Sequence, residues 1–324
     1  MEENTEQRID LTLFSEKIQE LKDRIASVIV GQEQTVDLVL TAILANGHIL
    51  IEGVPGVAKT LLARLTARLV DADFSRIQFT PDLMPSDVLG TTVFNMKNND
   101  FDFHRGPIFA DIVLVDEINR APAKTQAALF EVMEERQITI DGMTYRMGDL
   151  YTILATQNPV EQEGTYKLPE AQLDRFLMKI TMSYPSLDEE VNILERHHTN
   201  AALVKLEDVR AVITRDELLT LRHLMDRVFV DRTLLQYIAL IVQQTRTSKA
   251  VYLGASPRAS VAMLQSSKAY ALLQGRDFVT PEDIKFVAPY VLQHRLILTA
   301  EAEMEGYSPV KVTQRLIDKV EVPK

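Results

Sequence analysis

Apolar residues near the start of the chain recur first at helical spacing and then in a short continuous run. Residues 15–28 carry an apolar stripe on one helical face, and residues 32–45 do the same, so both segments are predicted to be helices. Asn46-Gly47 is a typical helix stop. It precedes an apolar run at 48–51, which predicts a strand, and the helical pattern returns at 61–65.

The middle of the chain contains two apolar strands that end in polar residues, and two candidate hairpins. One strand ends at 116–117 in Asp-Glu, and the other ends at 156–159 in Thr-Gln-Asn-Pro. The hairpins are expected within 91–109 and 137–147, because turn-forming residues separate short alternating segments there. A helix is predicted over 123–135. Strands that alternate with helices indicate a three-layer α/β core with a parallel sheet.

From about residue 186 onward the pattern is helical almost throughout. One helix is predicted to begin with Ser256 as N-cap and Pro257 at its first position, and to stop at Gly275. We therefore expect an α/β core at 1–185 and a smaller, all-helical domain at 186–324.

Composition limits the classes of function. The chain has 324 residues, of which 46% are hydrophobic and 25% charged, as in globular proteins. It has no cysteine, which excludes disulfides and cysteine-based zinc sites. A net charge of −11 argues against a protein that coats nucleic acids in general, although it does not exclude a local basic groove. We found neither a signal peptide nor an apolar run of about 18 residues, so we expect a cytoplasmic protein without a membrane span.

Residues 53–60 read Gly-Val-Pro-Gly-Val-Ala-Lys-Thr and lie between the predicted strand and a helix start. This is the context of a phosphate-binding loop, in which backbone N–H groups and a helix N-terminus converge on an anion. Lys59 would neutralise the outer phosphates, and the Thr60 hydroxyl would bind Mg²⁺. Ala58 stands where a second glycine is usual. A negative φ is possible at a helix entrance, so its methyl group is expected to be tolerated.

Polar residues at the two strand ends supply the rest of a hydrolytic site. Asp116 would hold the metal through water, and Glu117 would polarise the attacking water. Asn158 would orient that water beside the γ-phosphate. Two arginines, Arg175 and Arg258, are candidates for stabilising charge on the transferred phosphoryl group, and a surface salt bridge is the alternative for each. Together these residues predict that the chain binds and hydrolyses a nucleoside triphosphate.

The order of the segments GVPGVAKT, IVLVDEINRAP, ATQNPVEQEGTYKLPEAQLDRF and GASPRA resembles the MoxR family of AAA+ ATPases over most of residues 30–270. The resemblance implies a P-loop AAA+ core followed by a helical lid. It also implies that the two hairpins are the helix-2 insert and the pre-sensor-1 hairpin, which line a central pore. The family's Walker A, Walker B and sensor 1 positions fall at Lys59 and Thr60, at Asp116 and Glu117, and at Asn158.

The same resemblance assigns further residues. Arg258 matches the sensor 2 arginine, acting in cis from the lid, and Arg175 occupies the place of an arginine finger that acts on a neighbouring subunit. Arg120 is a second candidate for that trans role. Thr60 and Asp116 would be the metal ligands. The nucleotide-binding positions are Val30, Gly31, Gly53, Pro55, Gly56, Val57, Ala58, Lys59, Thr60 and Leu61.

The resemblance implies a ring, a hexamer in this family, that uses ATP and Mg²⁺ for chaperone-like remodelling, maturation or metal-cofactor insertion of protein complexes. A von Willebrand factor A domain protein and a client complex are the expected partners. A nucleic-acid motor is the alternative, because helicase-like relatives share the hairpins. It requires basic hairpin tips, and the tips read Lys97-Asn98-Asn99-Asp100 and Asp141-Gly142. A small-molecule kinase would need an acceptor pocket and activity as a monomer.

Overall fold

Helices and strands alternate through the first part of the chain. The computed structural model describes residues 11–54, 56–97, 99–158, 166–199 and 208–323. In chain order, the elements up to the last strand of the central sheet are α1 (Thr12–Val28), α2 (Glu33–Leu44), β1 (Ile49–Gly53), α3 (Lys59–Leu69), β2 (Phe74–Gln78), α4 (Pro85–Leu89), β3 (Gly90–Asn95), β4 (Asp100–Arg105), β5 (Ile112–Asp116), α5 (Ala123–Glu135), β6 (Gln137–Ile140), β7 (Met143–Arg146), β8 (Thr152–Gln157), α6 (Glu170–Leu173) and β9 (Met178–Met182).

The chain after β9 is mainly helical. Its elements are α7 (Leu187–His198), α8 (Arg215–Met225), α9 (Arg232–Thr247), β10 (Val251–Leu253), α10 (Pro257–Leu273), α11 (Pro281–Leu292), β11 (Ile297–Leu298), α12 (Ala300–Met304) and α13 (Pro309–Asp318). The second domain was expected to be all-helical. The structure adds one short antiparallel strand pair, β10 with β11.

The central sheet has five parallel strands in the order β2–β5–β8–β1–β9. Successive residues of a strand point to opposite faces. In β5, Ile112 and Leu114 join one apolar core, while Val113 and Val115 join the other. Helices α1, α2 and α3 contribute to the first core, and α5 contributes to the second. The predicted three-layer α/β arrangement is confirmed.

The sheet has two edges that matter for function. Because all strands are parallel, the segments after β1, β5 and β8 leave from the same edge, which we call the carboxyl edge. Helix α5 runs back across the sheet to the opposite, amino edge. Arg136, which follows α5, donates hydrogen bonds to the carbonyl oxygens of Tyr151 (3.1 Å), just before β8, and of Asn46, before β1.

A buried histidine fixes this amino edge. The Nδ1 atom of His48 accepts a hydrogen bond from the Ile153 N–H (3.0 Å), and its Nε2 lies 3.1 Å from the Met133 carbonyl oxygen. Burial lowers the pKa of His48 to about 3, so the ring is neutral at physiological pH and Nε2 is the donor. His48 therefore ties β1, β8 and α5 together.

Both predicted hairpins are present, as β3–β4 and β6–β7. They contact each other, because the Thr92 hydroxyl donates to Asp141 Oδ2 (2.6 Å) and the rings of Phe103 and Tyr145 lie 4.4 Å apart. Asn98, at the tip of the first hairpin, lies outside the described residues. The two inserts thus form one unit rather than two independent arms.

The lid and the core are joined by buried contacts. Helices α1 and α2 share one apolar core with the lid helices α8 to α11 and α13. Helix α10 begins at Pro257, as predicted, but the Ser256 hydroxyl does not cap it. That hydroxyl donates instead to Asp174 Oδ2 in the core (3.2 Å). The domain boundary at 185/186 stays a prediction. Within the described ranges, no helix is long and apolar enough to cross a membrane.

Candidate nucleotide-binding site

The loop between β1 and α3 has the backbone geometry of an anion cradle. Gly56 has a φ of +87°, which favours glycine, and apart from its chain neighbours no atom of the described residues lies within 4 Å of where its Cβ would be. Lys59 begins α3, and its Nζ donates to the Gly53 carbonyl oxygen (2.7 Å). Burial lowers the pKa of Lys59, and the negative charges of Asp116 and Glu117 oppose that shift. The loop therefore holds its lysine close to both acids.

The other predicted loop residues are placed around this cradle. A Cβ on Gly53 would lie 2.9 Å from the Met182 carbonyl oxygen, so a larger residue would push β1 away from β9. Val57 is buried. Thr60 and Leu61 follow Lys59 in the first turn of α3, where backbone N–H groups lack intrahelical partners and can bind an anion. Pro55 lies outside the described residues.

Ala58 differs from the expectation. Its φ is +60° and its ψ is +23°, in the left-handed region, whereas a negative φ was expected there. The reason is positional: Ala58 is the N-cap of α3, and the chain must reverse its curvature between the loop and the helix. A left-handed conformation costs a non-glycine residue about 1 kcal/mol. The loop therefore stores a small backbone strain beside the phosphate site.

Replacing Ala58 with glycine is expected to raise the free energy of unfolding by about 1 kcal/mol, because glycine adopts this φ without penalty. The matched control is Ala127→Gly, at an exposed interior position of α5, which is expected to lower it by about 1 kcal/mol. Equilibrium urea unfolding measures both. Equal destabilisation by the two substitutions would contradict the assigned backbone conformation.

Asp116 lies at the carboxyl edge with both carboxylate oxygens engaged. Oδ1 accepts from the Thr156 hydroxyl (3.1 Å), and Oδ2 accepts from Arg76 Nε (2.6 Å). Arg76 comes from β2 and was not singled out from the sequence. Among the described residues, no group of three or more His, Cys, Asp or Glu side chains could hold a metal ion. One carboxylate and the Thr60 hydroxyl are hard oxygen donors, which suit Mg²⁺ completed by phosphate and water.

Glu117 is held at the same edge by two side chains. Its Oε2 accepts from Gln78 Nε2 (2.8 Å) and forms an ion pair with Arg120 Nε (3.2 Å). Its backbone N–H donates to the Thr156 hydroxyl (3.0 Å). The structure thus places Arg120 against the Glu117 of its own chain. Asn158 follows β8 and is buried.

Thr156 and Gln78 are site residues that the sequence reasoning missed. In the parallel sheet Val115 is paired with Ala155, so the next residues, Asp116 and Thr156, come side by side. Gln78 is paired with Asp116 across β2 and β5. Aligning the ends of the predicted strands would have revealed both, because parallel strands that leave from one edge bring their last residues together.

Val30 and Gly31 connect α1 to α2. Gly31 has a φ of +71°, and a Cβ there would lie 2.3 Å from the Glu189 carboxylate. The flanking residues Ile29 and Gln32 line a cavity of about 320 Å³ together with Tyr270 of the lid helix α10. Cavities of this size accommodate small ligands.

The two arginines lie far from this loop. Arg175 precedes β9, and its Nε lies 3.4 Å from Glu134 Oε2; Arg258 Nη2 lies 2.8 Å from the other oxygen, Glu134 Oε1. Glu134 is near the end of α5, so both arginines are at the amino edge. A five-residue strand, about 16 Å long, separates that edge from the phosphate loop. The cis role expected for Arg258 stays a prediction, although this arrangement places Arg258 away from the phosphate loop of its own chain.

Core–lid contacts hold Arg258 there. Asp174 precedes Arg175 and accepts hydrogen bonds from Ser256 (3.2 Å) and from Arg295 Nε (2.7 Å). Arg295 is a lid residue with 3% of its side chain exposed. Because Ser256 is two residues before Arg258, these bonds dock the start of α10 on the amino edge. Sequence reasoning missed Glu134 and Arg295, which only the folded chain brings together.

The comparisons with known proteins agree with this geometry. Residues 48–178 match the model of the ATPase family associated with various cellular activities, and residues 243–318 match the AAA lid domain. The chain is 44% identical to chaperone MoxR1 of Mycobacterium tuberculosis over 92% of this chain and 80% of that one. The chain belongs to the MoxR family of AAA+ ATPases.

Further proteins match the chain over nearly its whole length. Protein MoxR of Methylorubrum extorquens is 30% identical over 91% of both chains, and the uncharacterised protein YeaC of Bacillus subtilis is 46% identical over 93% of both. The crystal structure of a candidate ATPase from Cytophaga hutchinsonii superposes with a TM-score of 0.89, at 41% identity over 97% of each chain. As a MoxR-type AAA+ ATPase, this protein binds nucleotide and hydrolyses ATP.

Proposed function

We propose that this MoxR-type ATPase works as a ring, a hexamer, in which ATP bound at one subunit is hydrolysed with Arg175 and Arg258 of the next. The observation that carries this proposal is the separation of the two halves of the site. The phosphate loop and both acids are at the carboxyl edge, whereas the two arginines are at the amino edge. A second subunit that presents its amino edge would complete the site.

Each residue at the carboxyl edge would have its own role in binding or hydrolysing ATP. Lys59 would turn from the Gly53 carbonyl oxygen to the phosphates, and Thr60 with Asp116 would hold Mg²⁺. When bound, the ion would shield the negative charge of the phosphate oxygens. Glu117 would accept the proton of the attacking water, which Asn158 would orient. The adenine would lie at Val30 and Gly31, beside the 320 Å³ cavity that the flanking residues Ile29 and Gln32 line.

We propose that the ATPase cycle drives chaperone-like remodelling or maturation of protein complexes, including metal-cofactor insertion. The remodelling role is supported by the relative MoxR1, which is named a chaperone. A von Willebrand factor A domain protein is the proposed partner, from the family resemblance. The paired hairpins expose Met96 (88%), Phe101 (66%) and Met143 (63%), which could contact an apolar client segment. The cytoplasmic location also stays a prediction.

The nucleic-acid motor is less well supported. The net charge is −11 and, of the tip residues, Asp141 is acidic and bonded to Thr92. A motor would need basic side chains along its hairpins to neutralise phosphates.

The test of the ring proposal is the ATPase rate per subunit as a function of protein concentration. We expect the rate to rise steeply and then level off, in step with assembly measured by sedimentation velocity in the presence of ATP. A rate per subunit that stays constant on dilution to monomers would contradict a shared site.

A further inference from the structure

One carboxylate at the amino edge is shared by two arginines from different parts of the chain. Glu134 Oε1 binds Arg258 from the lid (2.8 Å), and Oε2 binds Arg175 from the core (3.4 Å). Glu134 and Phe130 are one helical turn apart on α5, and the Arg175 guanidinium lies 6.0 Å from the centre of the Phe130 ring. Two side chains on one face of α5 therefore contact Arg175, Glu134 through an ion pair and Phe130 through its ring.

Electrostatics explains why this carboxylate is needed. Two guanidinium groups held side by side repel each other, and a carboxylate between them offsets that repulsion. A guanidinium has five N–H donors, and each arginine contacts Glu134 through one nitrogen, so further donors can bind another anion. About 60% of the Arg258 side chain and 31% of the Arg175 side chain are exposed, so a second molecule can reach both.

We infer that Glu134 is a positioning residue, which holds Arg175 and Arg258 as a pair aimed at the triphosphate of the neighbouring subunit. This inference rests on the proposed trans role of the two arginines. A free arginine side chain loses rotamer entropy when it is fixed in one position. Glu134 fixes both arginines before the neighbour binds. Partly exposed ion pairs are weak, so the arginines can leave Glu134 for the more highly charged triphosphate.

The first test is Glu134→Gln, which keeps the size of the side chain and removes its charge. In assembled rings we expect kcat to fall about 10-fold, because the arginines are misplaced, while KM for ATP and nucleotide affinity stay unchanged. Glu135→Gln, at the next position, which is also exposed, is the matched control and should keep the wild-type kcat. An unchanged kcat in Glu134→Gln rings of normal thermal stability would overturn the inference.

The second test uses mixed rings. Lys59→Ala subunits lack a working phosphate loop but carry intact Glu134, Arg175 and Arg258. If Glu134 serves the neighbouring site, adding Lys59→Ala subunits should raise the rate per Glu134→Gln subunit.

A mixture of Lys59→Ala subunits with Arg175→Ala subunits separates the role of Glu134 from the trans role of Arg175. Rescue of Arg175→Ala without rescue of Glu134→Gln would overturn the role of Glu134 and leave the trans arginine standing. Failure to rescue Arg175→Ala, in rings shown to contain both variants, would overturn the proposed function and this inference with it.

Discussion

Replacing Arg175 with alanine is expected to lower the rate of ATP hydrolysis by about 10³-fold or more, the usual contribution of a trans arginine. Nucleotide binding should persist, because Arg175 is at the amino edge, away from the phosphate loop of its own chain. Its ion pair with Glu134 is partly exposed, so its loss should change the free energy of unfolding by less than about 1 kcal/mol.

Two assays check this expectation. Phosphate release from assembled rings gives kcat, and a fluorescent nucleotide analogue gives the dissociation constant. Arg232→Ala, at an exposed position in the lid, is the matched control and should behave as wild type. Full activity in Arg175→Ala combined with lost activity in Arg120→Ala would move the trans role to Arg120. Loss of nucleotide binding in Arg175→Ala would place Arg175 in its own subunit's site.

Replacing Glu117 with glutamine is expected to lower the rate of hydrolysis by about 10²- to 10⁴-fold, because the amide cannot accept the proton of the attacking water. ATP should still bind, since Lys59, Thr60 and Asp116 are unchanged. The glutamine carbonyl oxygen can also keep the hydrogen bond from Gln78 (2.8 Å). Single-turnover hydrolysis together with a binding isotherm measures both effects. Near wild-type hydrolysis would remove Glu117 from its proposed role.

The same variant offers a route to the client. With ATP present, Glu117→Gln rings should stay in the nucleotide-bound state and retain what they bind, whereas rings without ATP should release it. Recovery of a von Willebrand factor A domain protein or an immature enzyme complex, only with ATP, would support the remodelling role. Recovery of nucleic acid that nuclease treatment removes would favour the motor instead.

Local signals in the sequence predicted many elements well. The helices at 123–135 and 257–273 have the expected bounds, because a proline marks the start of each. Both hairpins were found from their turn residues. The two strands that were expected to end in polar residues do so, since β5 ends at Asp116 and β8 ends at Gln157.

Features that depend on tertiary packing could not be predicted from the sequence. Ser256 was expected to cap α10, but its hydroxyl donates a hydrogen bond to Asp174 instead. That contact joins residues that are 82 positions apart. The ion pair between Arg258 and Glu134 spans 124 positions. These two contacts determine on which edge of the sheet the lid arginine lies. Nothing in the residues near Arg258 indicates that edge.

The central claim is that the catalytic site is shared between two subunits. The most direct test mixes Arg175→Ala subunits with Lys59→Ala subunits, each inactive alone, and follows ATP hydrolysis as a function of their ratio. The shared site predicts that activity returns in the mixture and is greatest at intermediate ratios, where an intact phosphate loop meets an intact Arg175. Rings that contain both variants and stay inactive at every ratio would contradict it.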